Sequence, residues 1–200
     1  GLAVFFLARI LGALYFINNI DDKDLVARSR RSLIGNSVLF LVFFLSFVIR
    51  TLLADGYAVN PETGEVFMEP YKYLTNFIEM PLVLVLFLIG VVLVLFGIGK
   101  SLLKTKFDKG IWFTGIGTVL AVLALLLVAG YNNTAYYPST NDLQSSLTLA
   151  NSCSSQFTLR VMFYVSFLVP FVLAYIFYAW RSIDIHKISE KEMKDGGHAY

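Results

Sequence analysis

Histidine and cysteine, the residues that most often hold metals and cofactors, are nearly missing. The single cysteine, Cys153, has no partner for a disulfide within the chain and offers too few thiolates for a structural zinc or an iron–sulfur centre. It reads as a small buried or interfacial side chain. Both histidines, His186 and His198, fall in a polar C-terminal tail, so every hydrophobic block lacks an imidazole. Charge is scarce too: 15% of residues are charged, against about 25% in soluble domains. A net charge of +2, with the basic residues scattered between blocks, excludes a nucleic-acid surface. No glycine-rich phosphate loop, Ser-His-Asp set or metal-ligand cluster is present. Leu2 to Ile17 reads as apolar helix rather than as a signal peptide with a basic n-region and cleavage site, and the chain is expected to begin inside a span.

What is abundant is apolar surface. Hydrophobic residues make up 57% of the 200 positions and mean hydropathy is +0.69. They gather into blocks at 1–18, 33–54, 78–99, 110–131 and 157–180, each near the roughly 20 residues that carry a helix across a 30 Å hydrocarbon core. An amphipathic helix facing water would not be apolar all round. The pattern therefore predicts an all-α integral membrane protein with five spans.

Lysine and arginine orient it, because cytoplasmic loops carry them in excess. Lys23, Arg28, Arg30 and Arg31 lie in the first connection, Lys100, Lys104, Lys106 and Lys109 in the third, and Arg181, Lys187, Lys191 and Lys194 in the tail over 181–200. The other two connections hold only Lys72 and carry Asp55, Glu62, Glu65, Glu69 and Asp142. The expected topology puts Gly1 outside and the C-terminus in the cytoplasm. Interfacial Tyr71, Tyr73, Tyr131, Tyr136 and Tyr137 mark the outer side, Trp112, Tyr178 and Trp180 the inner. Pro81 fits a first helical turn, whereas Pro170 sits mid-span and predicts a kink by removing a donor and crowding the Ser166 carbonyl. Gly12, Gly115 and Gly117 read as close-packing positions between helices. The Ser-, Thr- and Asn-rich stretch over 141–155 is too polar for the membrane, and its length points to docking against a partner rather than free disorder.

Four ionisable residues fall at membrane depth, where such groups are functional by default: Arg9 within the first span, Arg50 a turn from the outer end of the second, Glu79 at the outer start of the third, and Arg160 at the outer start of the fifth. Arg50 and Glu79 share a depth on neighbouring spans, so an ion pair between them is expected; the rival reading makes Glu79 a proton or quinone-headgroup site. Arg160 can snorkel outward. Arg9 is expected to point into an inter-subunit or inter-helix polar pocket. Met80 and Met162 read as packing residues rather than haem ligands.

Tyr137-Pro138-Ser139, then Ser146-Leu147-Thr148-Leu149-Ala150-Asn151-Ser152-Cys153-Ser154-Ser155-Gln156 and Thr158-Leu159-Arg160-Val161-Met162, followed by Pro170, Tyr175 and Trp180, resemble the end of subunit II of the cytochrome bd quinol oxidases. Asp55-Gly56-Tyr57 and Asn76-Phe77 before Pro81 resemble the same family's corresponding loop and helix start. The resemblance covers nearly the whole chain and implies a four-helix transmembrane bundle plus one additional peripheral transmembrane helix, the C-terminal half of the subunit. It further implies residence in the bacterial cytoplasmic (inner) membrane and contact with the N-terminal half of the same subunit. The family oxidises quinol and reduces dioxygen with haem b and haem d, which belong to the partner, subunit I. Subunit II contributes assembly, proton and oxygen access and, in some members, a bound structural quinone. No haem or metal ligand and no catalytic residue is expected in this chain. The competing reading is a transporter or channel fragment in which Arg9 and Glu79 line a solute path and Pro170 marks a broken helix. A purely structural membrane anchor is a third, and it overlaps with the first.

Overall fold

The computed structural model describes residues 1–104, 106–183 and 188–189. Five helices in it are long and apolar enough to cross a membrane: Leu2–Asn19, Lys23–Leu53, Pro81–Leu103, Gly110–Gly130 and the broken helix over Gln156–Ser182. The protein is an all-α integral membrane protein.

Helix α1 (Leu2–Asn19) leads through a two-residue strand β1 (Ile20–Asp21) into α2 (Lys23–Leu53). The helix starts ten residues before the apolar block at 33, because Asp22 caps it by accepting from the amides of Asp24 and Leu25 at 2.8 and 2.9 Å. Its 31 residues span about 46 Å, more than a bilayer core needs. Arg28, Arg30 and Arg31 thus lie on a helical extension, not in a loop.

Strands β2 (Gly56–Val59) and β3 (Val66–Glu69) form an antiparallel hairpin, with Asn60 accepting from the amides of Glu62 and Thr63 and Gly64 taking positive φ. A short helix α3 (Lys72–Glu79) follows, then α4 (Pro81–Leu103) and α5 (Gly110–Gly130). Met80 separates α3 from α4 with φ −114° and ψ 71°, as the residue before a proline is driven out of the helical region. The expected third span over 78–99 is corrected accordingly. It begins at Pro81, and Glu79 ends a separate short helix.

Two antiparallel pairs, α1 with α2 and α4 with α5, pack together. Ile10, Leu14 and Ile17 of α1 meet Leu33 and Phe40 of α2 and Val94 and Ile98 of α4 in one cluster. Phe77, Phe87, Ala121, Ala124 and Val128 form a second, nearer the hairpin. Along α4 and α5 the backbones touch at a glycine seam: a Cβ on Gly90 would lie 2.6 Å from the Ala121 nitrogen, and one on Gly117 2.6 Å from the Gly90 oxygen. Gly117 is thus a close-packing position as expected. Gly12 and Gly115 are not, since a Cβ on either meets nothing within 4 Å.

Helices α6 (Gln156–Ser166) and α7 (Val169–Ile183) form the fifth span, and no residue over 156–182 is buried. The break falls one turn before Pro170, where Phe167 and Leu168 donate to carbonyls three residues back, at 3.2 and 2.9 Å. The proline cannot supply the donor an unbroken helix needs at that point. Beyond α7, strand β4 (Ile188–Ser189) pairs in parallel with β1, Ile20 opposite Ile188.

Candidate functional site

Long-range contacts sort the connections to two ends. At the basic end, Arg30 of α2 donates to the carbonyls of Ser101, Lys104 and Phe107, tying α2 to the end of α4 and to the turn that follows it. The pairing of β1 with β4 belongs to this end as well. At the other end, the two acidic and polar connections fold onto each other as a cap. Val59 donates to the Asn133 carbonyl at 2.8 Å and Ala135 to the Tyr57 carbonyl at 2.9 Å. Gln144, in a short 3₁₀ turn (Leu143–Ser145), accepts from the Val66 amide at 3.0 Å and donates to the Val66 carbonyl at 2.9 Å. The polar stretch over 141–155, expected to dock against a partner, thus packs on the chain's own hairpin. Lys72, the one basic residue among these connections, is neutralised by Glu69 at 3.2 Å.

Asn76 is the centre of the cap. Fully buried, it donates to the Val128 carbonyl at 2.8 Å and the Thr134 hydroxyl at 2.9 Å, and accepts from the Asn132 amide at 3.1 Å. The same Asn132 amide donates to the Glu79 carboxylate. Asn132 and Asn133 both take left-handed backbone, φ 54° and 53°, a conformation asparagine tolerates better than most residues. Gly56 lets this cap close, because a Cβ there would lie 2.6 Å from the Cβ of Lys72. Burial first, and then the neighbouring Tyr57 phenol, push the Tyr73 phenol above its ordinary value of 10.0.

The four ionisable candidates are not brought together. The expected ion pair of Arg50 with Glu79 is not formed: among the described residues the salt bridge present is Lys72–Glu69, and Glu79 is engaged by Asn132. The physical reason is the break at Met80, which places Glu79 in the cap where an amide satisfies it. Arg50 lies exposed in the last turn of α2. Arg160 is exposed on α6. Arg9 is exposed at the middle of α1, its guanidinium 5.8 Å from the Phe5 ring centroid, so it faces away from this chain's helices. Met80 packs against the second core cluster, and Met162 is exposed. His186 and His198 lie outside the described residues.

Between the four packed helices lies an apolar groove of about 590 Å³, walled by Leu7 of α1, Phe40 and Phe44 of α2, Val94 of α4, and Ala121 and Val122 of α5. Thr118 is the one polar side chain on its wall, and its hydroxyl is spent on the Thr114 carbonyl at 2.7 Å. Such a groove accepts a hydrocarbon or isoprenoid chain and offers nothing to orient a headgroup. Among the described residues no three or more His, Cys, Asp or Glu side chains gather as a metal site.

Residues 1–183 match the family described as cytochrome bd terminal oxidase subunit II. The chain belongs to that family. Its curated relatives include subunit 2 of the cytochrome bd-I ubiquinol oxidase of Escherichia coli K12 and the same subunit of the O6:H1 and O157:H7 strains, each 32% identical over 136 residues. That match takes in 67% of this chain and 34% of the relative, so the chain spans about a third of the relatives' length. For a subunit II family member, the informative residues that sequence reading passed over are Arg30 and Asn132. Asn132-Asn133 after a span was a visible turn signal. Arg30 looked like one of several topogenic charges.

Proposed function

We propose that this chain is the non-haem-ligating C-terminal part of subunit II of a quinol:dioxygen oxidoreductase, supporting its assembly and holding a quinone or lipid tail in its apolar groove. The family match over residues 1–183 carries the reading. Assignment of haems b and d to the partner subunit is supported by the lack of histidine in the spans here and by the packing of Met80 in a core cluster. The basic end faces the cytoplasm and the cap the outside, in keeping with the segregation of lysine and arginine.

The test is to purify the complex with its partner subunit and record its absorbance spectrum, then replace Val122 with Trp to fill the groove. Haem b and d bands and quinol-dependent oxygen uptake are expected in the wild type, with less co-purifying quinone and lipid in the variant. A pure, assembled complex without haem would overturn the oxidase reading in favour of a transporter.

A further inference from the structure

We propose that the face of α4 around Lys100 and Lys104 binds an anionic phospholipid, its phosphodiester between the two ammonium groups and an acyl chain along the helix. Phe96, Gly99, Lys100, Leu103 and Lys104 line an open cavity of about 410 Å³ at the basic end. Gly99 serves no packing within the chain, since a Cβ there would meet nothing within 4 Å; it leaves the cavity its depth. Leu103, 87% exposed, and Phe96 continue an apolar wall toward the bilayer core.

The charges need an anion that the chain does not supply. Lys100 lies in the last turn of α4 and Lys104, four residues on, is its C-cap; both line the cavity, where like charges repel. Neither forms an ion pair among the described residues. Lys100 is instead held between two rings, its ammonium 4.8 Å from the Phe96 centroid and 4.6 Å from that of Phe107. Nor are these lysines required to complete the helix end, because Arg30 already donates to the carbonyls of Ser101 and Lys104. Lys106 and Lys109 add charge in the same connection, against one carboxylate, Asp108, which has contacts of its own. The 23 residues of α4 cover about 35 Å, so Lys100 in its last turn sits at headgroup depth. This inference is independent of the oxidase reading.

The assembled complex, delipidated in detergent, is titrated with phosphatidylglycerol and, separately, with phosphatidylcholine, and bound lipid is counted by native mass spectrometry. Phosphatidylglycerol is expected to bind preferentially. K100Q and K104Q should each weaken it about fivefold, as loss of about 1 kcal/mol per surface lysine implies. K100R/K104R should restore it, and R31Q, at the same end but off the cavity, should not weaken it. K104Q carries the test alone if changes at Lys100 prevent assembly, since Lys104 is exposed. Equal binding of the two lipids, or wild-type binding by K104Q, overturns the site. Displacement of the lipid by millimolar inorganic phosphate would overturn it in favour of a soluble-anion site.

Discussion

The side-chain amide of Asn132 donates to the Glu79 carboxylate, and through its other contact, to Asn76, it ties that carboxylate to the buried centre of the cap. Glu79 is thereby part of the structure that joins α3 to the end of α5. Coupling is expected between Glu79 and Asn132 and not between Glu79 and Arg50. Thermal unfolding of the purified complex should show E79A and N132A non-additive by about 0.5 kcal/mol or more, while E79A and R50Q add within about 0.5 kcal/mol. E79Q, whose amide oxygen still accepts, should be mild. Normal assembly of E79Q with collapsed quinol oxidation would instead assign Glu79 to the chemistry.

The five spans were legible because each is apolar all round, and the lysine and arginine pattern separated the two ends before any coordinates. Boundaries were less legible where a polar helix continues an apolar one. The extension of α2 to Lys23 depends on the Asp22 cap, and hydropathy does not register capping. Equal depth was likewise a poor guide to the partner of Glu79, because the backbone at Met80 turns the residue out of the span. Arg50 and Glu79 were placed by counting along helices, while pairing is decided by direction.

Asn76 should be among the cap's most sensitive positions. Replacing it with Leu leaves the buried Val128 carbonyl without its side-chain donor, which costs about 1–3 kcal/mol, while the Thr134 hydroxyl keeps its bond to the Asn132 carbonyl. Yield of assembled complex should fall sharply for N76L, and N76D should be no milder, because a buried carboxylate accepts but cannot donate to the Val128 carbonyl. A wild-type melting temperature for N76L would refute this account.

Tyr73 makes the cap sensitive to alkali in a defined direction. Its pKa is raised in the folded state, so the folded protein keeps the phenolic proton longer than the unfolded chain. Its contribution is complete below the ordinary value of 10.0 and is lost as pH rises from there through the folded value. Stability of the wild type should fall more steeply above pH 10 than that of Y73F. Parallel curves would remove Tyr73 as the cause.

Cys153, the chain's one cysteine, is exposed in the connection before α6 and serves as a natural topology reporter. A membrane-impermeant maleimide should label it in intact cells. In a C153S background, a cysteine at Lys104 should be labelled only in inverted vesicles. Labelling of both from one side would contradict the positive-inside orientation.

The seam between α4 and α5 gives the sharpest contrast among chemically identical changes. Glycine to alanine in a helix interior ordinarily gains about 0.8–1 kcal/mol in helix propensity. At Gly115 and Gly99, where a Cβ meets nothing within 4 Å, that gain should appear as unchanged or slightly raised thermal stability. At Gly97 a Cβ would lie 2.8 Å from the Gly110 oxygen and 2.9 Å from the Thr114 nitrogen, and it would collide with the Thr114 hydroxyl. Backbone atoms cannot swing aside as a side chain can, so the helices must separate, at a cost of about 1–3 kcal/mol. Thr114 allows the two sources of strain to be told apart. Its hydroxyl is buried without a hydrogen-bond partner among the described residues, so T114A removes one obstacle to the new methyl while the Gly110 carbonyl remains. G97A should therefore be partly rescued by T114A and G115A should be indifferent to it, both measured by thermal unfolding of the assembled complex. Equal stability of G97A and G115A would mean that α4 and α5 do not meet backbone to backbone along this line.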